Sequence, residues 1–384
     1  MILLDWKRYQ LSQLINKALG LPKPIPFDFL AYGQILRTSL LEWRAEKGVG
    51  EIEYFESVMP PQRMSELPHE DWVSSVSCRI PQYVQFTVSL YDGHLRLFDY
   101  SQNLILDASL HQAPITSICV APFLSSDTES RILVSSSHDL TACLTHISLN
   151  SEIPTASTVA SLHPHTSPLS SISTDVSGSH LLTSSWDGLI GVWDTSIPDD
   201  HQVNSERGDD RKSGRYLIAH CTCQALSAAG ELAKGKAYYS CGFDSTVRTW
   251  DVESGVCINT INVPERPMLD LAENPDGNVL LAASTDRTVS IFDLRVSSLS
   301  SSTGIMMHSA TPSCIATSEN GKHQVVTGSY DGVARLWDLR STKGAVTSFE
   351  VWDRMKVLTV NWVGDVVGIG GEGGMEDWRI AGGS

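Results

Sequence analysis

Apolar residues in this chain keep two different periods. Leu11, Leu14, Ile15, Ala18 and Leu19 fall at i, i+3, i+4, i+7 and i+8, on one face of a helix. Gly20 and Pro22 end that helix. Residues 26–30, a turn at Tyr32-Gly33 and residues 34–36 then predict a hairpin. A short helical turn at 39–43 and a strand over 51–58 follow. After Pro60-Pro61 the period drops to two. Runs such as Val247-Arg248-Thr249-Trp250 and Val333-Ala334-Arg335-Leu336-Trp337 alternate, as half-buried strands do.

One phrase punctuates the alternating region. Tyr91-Asp92-Gly93 runs to Phe98-Asp99, Trp186-Asp187-Gly188 to Trp193-Asp194, and Phe243-Asp244 to Trp250-Asp251. Asp286 runs to Phe292-Asp293, and Tyr330-Asp331-Gly332 to Trp337-Asp338. The second Asp always stands seven positions after the first. A weaker copy has His138-Asp139 and reaches Thr145-His146 at that offset. The first Asps, at 92, 139, 187, 244, 286 and 331, are 42 to 57 residues apart. A repeat of this length ending in Trp-Asp is the signature of WD40 propeller blades. Asp-Gly between strands makes a tight turn, because Gly accepts positive φ and Asp bonds nearby backbone.

His111, His165, His220 and His308 stand upstream of four turns. In WD40 blades such a His, a Ser or Thr, the turn Asp and the Trp hydrogen-bond to one another. Asp92, Asp139, Asp187, Asp244, Asp286 and Asp331, with Trp193, Trp250 and Trp337, are therefore read as scaffold and not as catalytic groups. Residues 357–362 and 372–378 imply a seventh blade, and residues near 62–67 are expected to supply its outer strand and close the ring. The fold class is mainly β. A seven-bladed propeller at 72–384 follows a linker and closing strand at 60–71 and a small α+β head at 1–59. The head's order of helix and three strands matches the second half of a ubiquitin-like β-grasp domain. The hairpin that would precede the helix has no counterpart, so the head is expected to be incomplete, with an uncovered sheet edge.

Charge narrows the partners. A net charge of −16 argues against direct binding to nucleic acid and suits a soluble protein that meets other proteins. No run approaches 18 apolar residues and the start is too short for a signal peptide, which leaves cytosol or nucleus and no membrane. The eight Cys contain no CxxC, so they read as small buried hydrophobes in a reducing compartment. His220, Cys221 and Cys223 hint at zinc, but no fourth ligand is evident and no metal of its own is expected. Residues 195–216 and 297–303 read as loops, the first either a solvated linker or a partner-binding segment. Residues 368–373 match GxGxxG, but the motif needs a following helix to hold a pyrophosphate, and none is predicted. No G-x-S-x-G or P-loop occurs, so neither an enzyme nor a cofactor is expected.

The N-terminal block is more specific than any blade. Residues 23–30 (Lys-Pro-Ile-Pro-Phe-Asp-Phe-Leu), 36–40 (Leu-Arg-Thr-Ser-Leu), Ile52-Glu53-Tyr54, Met59-Pro60-Pro61 and 71–76 (Asp-Trp-Val-Ser-Ser-Val) occur in that order. Together with the blades, this series resembles the WD-repeat subunit of the PeBoW complex (Pescadillo, Bop and a WD-repeat protein) over essentially the whole chain. The resemblance implies a nucleolar and nucleoplasmic, non-catalytic factor in large-subunit ribosome assembly and pre-rRNA maturation. It implies a propeller that binds the Bop propeller, with Pescadillo joined through the complex. It also implies a ubiquitin-like head that engages the midasin ATPase for release from the pre-ribosome. Midasin's adhesion-site metal needs an external carboxylate, and a loop acid of the head supplies it. Here that loop, residues 46–51, is several residues shorter than in the family; Glu51 is the nearest candidate and Glu46 the second. Two rivals stand beside this reading. A Notchless-type assembly factor also joins such a head to a propeller but has more blades. A cullin ubiquitin-ligase substrate receptor would use a Trp-Asp-x-Arg box, which residues 336–340 and, more weakly, 291–295 resemble.

Overall fold

The computed structural model describes residues 5–31, 33–47, 51–78, 86–121, 130–149, 154–163, 165–174, 178, 180–194, 215–217, 223–228, 237–251, 254–295, 302–319 and 323–380. The head begins with α1 (Arg8–Leu19), which ends on Gly20 in the left-handed conformation at φ 63°. β1 (Phe27–Ala31) pairs antiparallel with β2 (Gln34–Ile35) on one side and β3 (Ile52–Glu56) on the other. The helix docks differently from the apolar stripe read in the sequence. Leu11 is buried and Ile15 half-buried, but Ala18 and Leu19 are exposed. Polar side chains fix the helix instead. Ser12 Oγ accepts the Phe27 N–H at 3.0 Å, and Asn16 Oδ1 accepts the Ile25 N–H at 2.7 Å. A three-stranded sheet is too small to cover the last helical turn.

α2 (Leu40–Lys47) is longer than the single turn expected at 39–43. Ser39 and Glu42 form a capping box, the Glu42 N–H donating to Ser39 Oγ and the Ser39 N–H to Glu42 Oε2, both at 3.3 Å. That spacing was a legible helix-start signal. It moves Glu46 from the expected loop onto a helix.

Among the described residues the rest of the chain forms seven four-stranded antiparallel sheets. Blades 1 to 6 are residues 73–109, 115–162, 169–217, 223–262, 268–307 and 312–350. The first strand of each blade packs on the first strand of the next, and Val357–Val363 of blade 7 packs on Val73–Ser77 of blade 1, so the ring is closed. The strand that ends in Trp-Asp is the third from the axis.

Second strands are buried on both faces because each blade is sandwiched between neighbours. Phe86–Leu90 alternates apolar residues with Thr87 and Ser89, whereas Val279–Ser284 is apolar up to its last residue, and several of the buried hydroxyls of these strands find partners within the sheet. Ser74 and Ser89 Oγ are 2.9 Å apart, Thr116 and Ser136 2.9 Å, and Ser170 and Ser184 2.8 Å. In the turns, Gly93, Gly188 and Gly332 sit at positive φ, and where Gly is absent Leu140, Ser245 and Arg287 take the same left-handed conformation.

Blade 7 is completed by a segment from before the ring. β4 (Gln62–Leu67) pairs antiparallel with Gly374–Arg379, Gln62 opposite Arg379 and Leu67 opposite Met375. Arg63 reaches Glu376 at 2.7 Å, and Trp378 Nε1 donates to Glu376 Oε2 at 2.9 Å. The Gly-rich run at 368–373 lies on the strand Val366–Gly371 and the following turn, with no helix after it. Its glycines serve packing: a Cβ on Gly370 would lie 2.4 Å from a Val73 methyl of blade 1.

Candidate protein-interaction surfaces

The blade turns supply the first candidate surface, and their Asp residues work in three different ways. In blade 3 the full relay forms. Trp193 Nε1 donates to Thr183 Oγ1 at 3.1 Å, Thr183 lies 2.9 Å from His165 Nε2, and His165 Nδ1 lies 3.0 Å from Asp187. A relay that runs in this direction needs a neutral imidazole, and burial pushes the His165 pKa down. In blade 2, His111 joins Ser135 and Asp139 at 2.8 and 2.9 Å, but Thr145 stands where the Trp would be.

Blade 6 splits the relay. Trp337 Nε1 donates to Thr327 Oγ1 at 3.0 Å, and Thr327 meets His308 Nε2 at 2.8 Å. His308 Nδ1 then turns to the Met306 carbonyl, because Arg335 Nη2 takes Asp331 at 2.7 Å. The same Arg four positions after the turn Asp recurs as Arg96 on Asp92 (3.3 Å) and Arg248 on Asp244 (2.9 Å). This Asp-x-x-x-Arg spacing is present in the sequence, outside the turn phrase that marks the blades. In blade 4, Trp250 Nε1 donates to Ser240 Oγ at 2.8 Å; His220 lies outside the described residues. Asp286 of blade 5 is held by Thr288 and by Arg266 at 2.9 Å. Cys221 also lies outside the described residues, and among those described no His, Cys, Asp or Glu cluster could hold a metal.

These histidines give stability a pH dependence. Burial and then Arg335 lower the His308 pKa to about 4, and burial and then Arg96 lower that of His69 to about 4. Both bind protons more readily when unfolded, so their contribution is full above the unfolded value of about 6.5 and is lost as pH falls toward 4. Asp270 acts in reverse, because burial raises its pKa to about 7. The His308 share is isolated by substitution. Between pH 6.5 and 4.5, His308→Gln is expected to flatten the fall of unfolding free energy with pH; an unchanged slope would show that His308 is not buried neutral.

The residue just before each turn Asp points to function rather than scaffold. Trp186, Phe243 and Tyr330 are exposed there, with Tyr91 and His138 at the equivalent positions. Trp72 packs edge-on to Tyr91 at 5.6 Å, His138 lies 5.2 Å from Trp186, and Lys356 Nζ sits 5.8 and 5.6 Å from the Trp72 and Tyr330 rings. All these residues lie at the same end of the blades, in or beside the turns between second and third strands. Exposed Trp and Tyr of this kind are what protein-binding hot spots use.

The head makes the second candidate surface, at the opposite end of the blades. Glu51 is exposed, directly before β3, while Glu46 belongs to α2. The two boxes that resemble a cullin-receptor motif fare differently. Arg340 is clamped to buried Asp338 through Nε–Oδ1 at 2.9 Å and Nη2–Oδ2 at 2.6 Å, and its guanidinium carbon stacks 3.9 Å from the centre of the Phe55 ring. The head thus covers one face of it and leaves its side chain 33% exposed. Arg295 makes the same clamp with Asp293, but its side chain is 67% exposed.

Comparisons with known proteins agree with this two-part build. The NLE (NUC135) domain model matches residues 1–43, and the WD domain, G-beta repeat model matches residues 156–194, 255–293 and 300–338. The chain is 50% identical over 414 residues to the ribosome biogenesis protein YTM1 of Laccaria bicolor, covering 99% of this chain and 90% of that protein. It is 50% identical over 411 residues to YTM1 of Coprinopsis cinerea, covering 99% and 91%. YTM1 of Saccharomyces cerevisiae is 29% identical over 419 residues, covering 94% and 88%.

Proposed function

The chain belongs to the family of the ribosome biogenesis protein YTM1, and from that premise we propose that it is a non-catalytic assembly factor of the large ribosomal subunit, working in nucleolus and nucleoplasm as the WD-repeat member of a PeBoW complex. The observation that carries this reading is the joining of an NLE head to a ring of seven blades. Seven sheets disfavour the many-bladed Notchless-type rival. The capture of Arg340 by Phe55 disfavours a cullin adaptor at that box. In this reading the exposed aromatic residues at the blade turns receive the Bop propeller, and Pescadillo comes with it. Depleting the chain from cells tests the assignment. Large-subunit rRNA precursors should accumulate while small-subunit rRNA matures normally; equal loss of both would overturn it.

The head is assigned to midasin. An adhesion-site cation leaves one position for a carboxylate from outside. Glu51 meets that need best, since its exposed side chain stands on the loop before β3, whereas Glu46 is carried by a helix. Glu51→Ala is expected to weaken binding to the isolated adhesion domain by tenfold or more, about 1.4 kcal/mol. Glu46→Ala should change it little. Equal affinity for Glu51→Ala and the natural chain in a titration would remove Glu51 from the interface.

A further inference from the structure

The chain passes from head to ring between Ser57 and Val58, and three residues then separate Val58 from the closing strand. Ser57 belongs to the head, its N–H donating to the Pro26 carbonyl at 2.9 Å and its Oγ accepting from Arg8 Nη2 at 2.9 Å. Val58 belongs to the ring, packed on the core that includes Phe349, Trp378 and Ile380. Met59, Pro60 and Pro61 then lead straight into Gln62, the first residue of β4. Two prolines make that link extended and stiff.

The head rests on residues 339–346, the loop between the third and outer strands of blade 6. The Ile35 N–H donates to Ser341 Oγ at 3.3 Å, Arg37 Nη2 donates to the Ala345 carbonyl at 2.5 Å, and Arg340 stacks on Phe55. The loop is itself held, since the Ser341 N–H donates to the Asp338 carbonyl at 2.8 Å and Arg340 is clamped by Asp338. Gln62 pairs with Arg379 at this same end of the blades. The strand that seals the ring therefore starts where the head is docked.

We propose that docking of the head on blade 6 locks the ring's closing strand, and that a load lifting the head off residues 339–346 opens blade 7 from its Gln62 end. With the head docked, the chain before β4 is pinned, and fraying of β4 frees almost no backbone. With the head lifted, the stiff link delivers the pull to one end of β4, so its residue pairs break in turn. The second pair to go is Arg63 with Trp378. That step takes Arg63 from Glu376, whose side chain is 0% exposed, and leaves a buried carboxylate without its countercharge. Burial already raises the Glu376 pKa. A half-open seal is thus unfavourable, and the strand is either seated or released. The device works whichever partner grips the head.

Hydrogen exchange on the intact chain tests it. The double variant Arg37→Ala, Arg340→Ala is expected to speed exchange about tenfold at 62–67 and 374–379 while leaving the strands at 279–284 and 288–293 unchanged. A flexible eight-residue Gly-Ser insertion between Met59 and Pro60 should give the same acceleration, and adding the double substitution to it should give no more. Unaltered exchange at 62–67 with faster exchange at 33–37 would overturn the lock, because the head would then lift without loosening the seal. If the double variant unfolds the head, seen as lost protection at 27–31, Arg340→Lys and the insertion carry the test. Lys keeps a charge near Asp338 but loses the planar stack on Phe55. No acceleration in either would overturn the proposal.

Discussion

A variant that begins at Asp71 is expected to melt roughly 10 °C below the intact chain, whereas one that begins at Val58 keeps most of its stability. The first lacks β4, and the outer edge of blade 7 is then a row of unpaired backbone groups along Gly374–Arg379. Each lost backbone bond costs about 0.5–1.5 kcal/mol net. Glu376, buried against Arg63, loses its partner, and breaking a buried pair from one side costs about 3–5 kcal/mol. A total above roughly 5 kcal/mol, at about 2 °C per kcal/mol for a chain of this size, gives the expected shift. The Val58 variant loses the head but retains β4, so it reports the head's own share. Calorimetry of the two truncations separates seal from head. Equal melting temperatures for both would mean that β4 does not close the ring.

Asp187→Ala is expected to cost about 1–3 kcal/mol. The Asp187 carboxylate accepts from His165 Nδ1 at 3.0 Å, the Thr166 N–H at 3.0 Å and the Leu189 N–H at 2.9 Å, and its side chain is only 6% exposed. Truncation leaves these donors without their acceptor and frees the imidazole that Thr183 and Trp193 rely on. Asp92→Ala is the control. Asp92 lies in a blade with no such His relay and is more exposed, so its loss should stay within about 0.5 kcal/mol. Urea unfolding of the two variants checks the difference. Binding of the Bop subunit should weaken in Asp187→Ala only as far as the folded fraction falls. A variant as stable as the natural chain that no longer binds Bop would make Asp187 a contact residue.

Most of the ring was legible because its turns are chemically punctuated. Asp-Gly, or Asp followed by a residue forced to positive φ, marks six of the blades, and the seven-position offset to a second Asp marks the strand after five of them. The closing strand was read near 62–67, and Gln62–Leu67 is the segment that pairs with Gly374–Arg379. The head was harder. Its helix docks through Ser12 and Asn16, which an apolar period cannot reveal, so the end of the stripe at Ala18 and Leu19 overstates the buried face. The second helix runs past the single turn that residues 39–43 suggest, and its start is marked by the Ser39–Glu42 capping box.

The interaction surfaces were the least legible. Period two says which residues face a neighbouring blade, but not which residue at a strand's end looks into solvent. Trp186, Phe243 and Tyr330 therefore read only as parts of a turn phrase, and they stand exposed together only once the ring is built. The box around Arg340 suggests a partner outside the chain, but the guanidinium stacks on Phe55, far away in sequence. No local pattern records a contact of that separation.

Affinity purification of the intact chain from nuclear extract, with quantitative mass spectrometry of what it retains, tests the central claim most directly. The account expects Pescadillo and a Bop-type propeller protein in amounts comparable to the chain itself, together with large-subunit precursors. Recovery of a cullin adaptor without pre-ribosomal proteins, or of pre-ribosomes lacking Pescadillo and Bop, would contradict it.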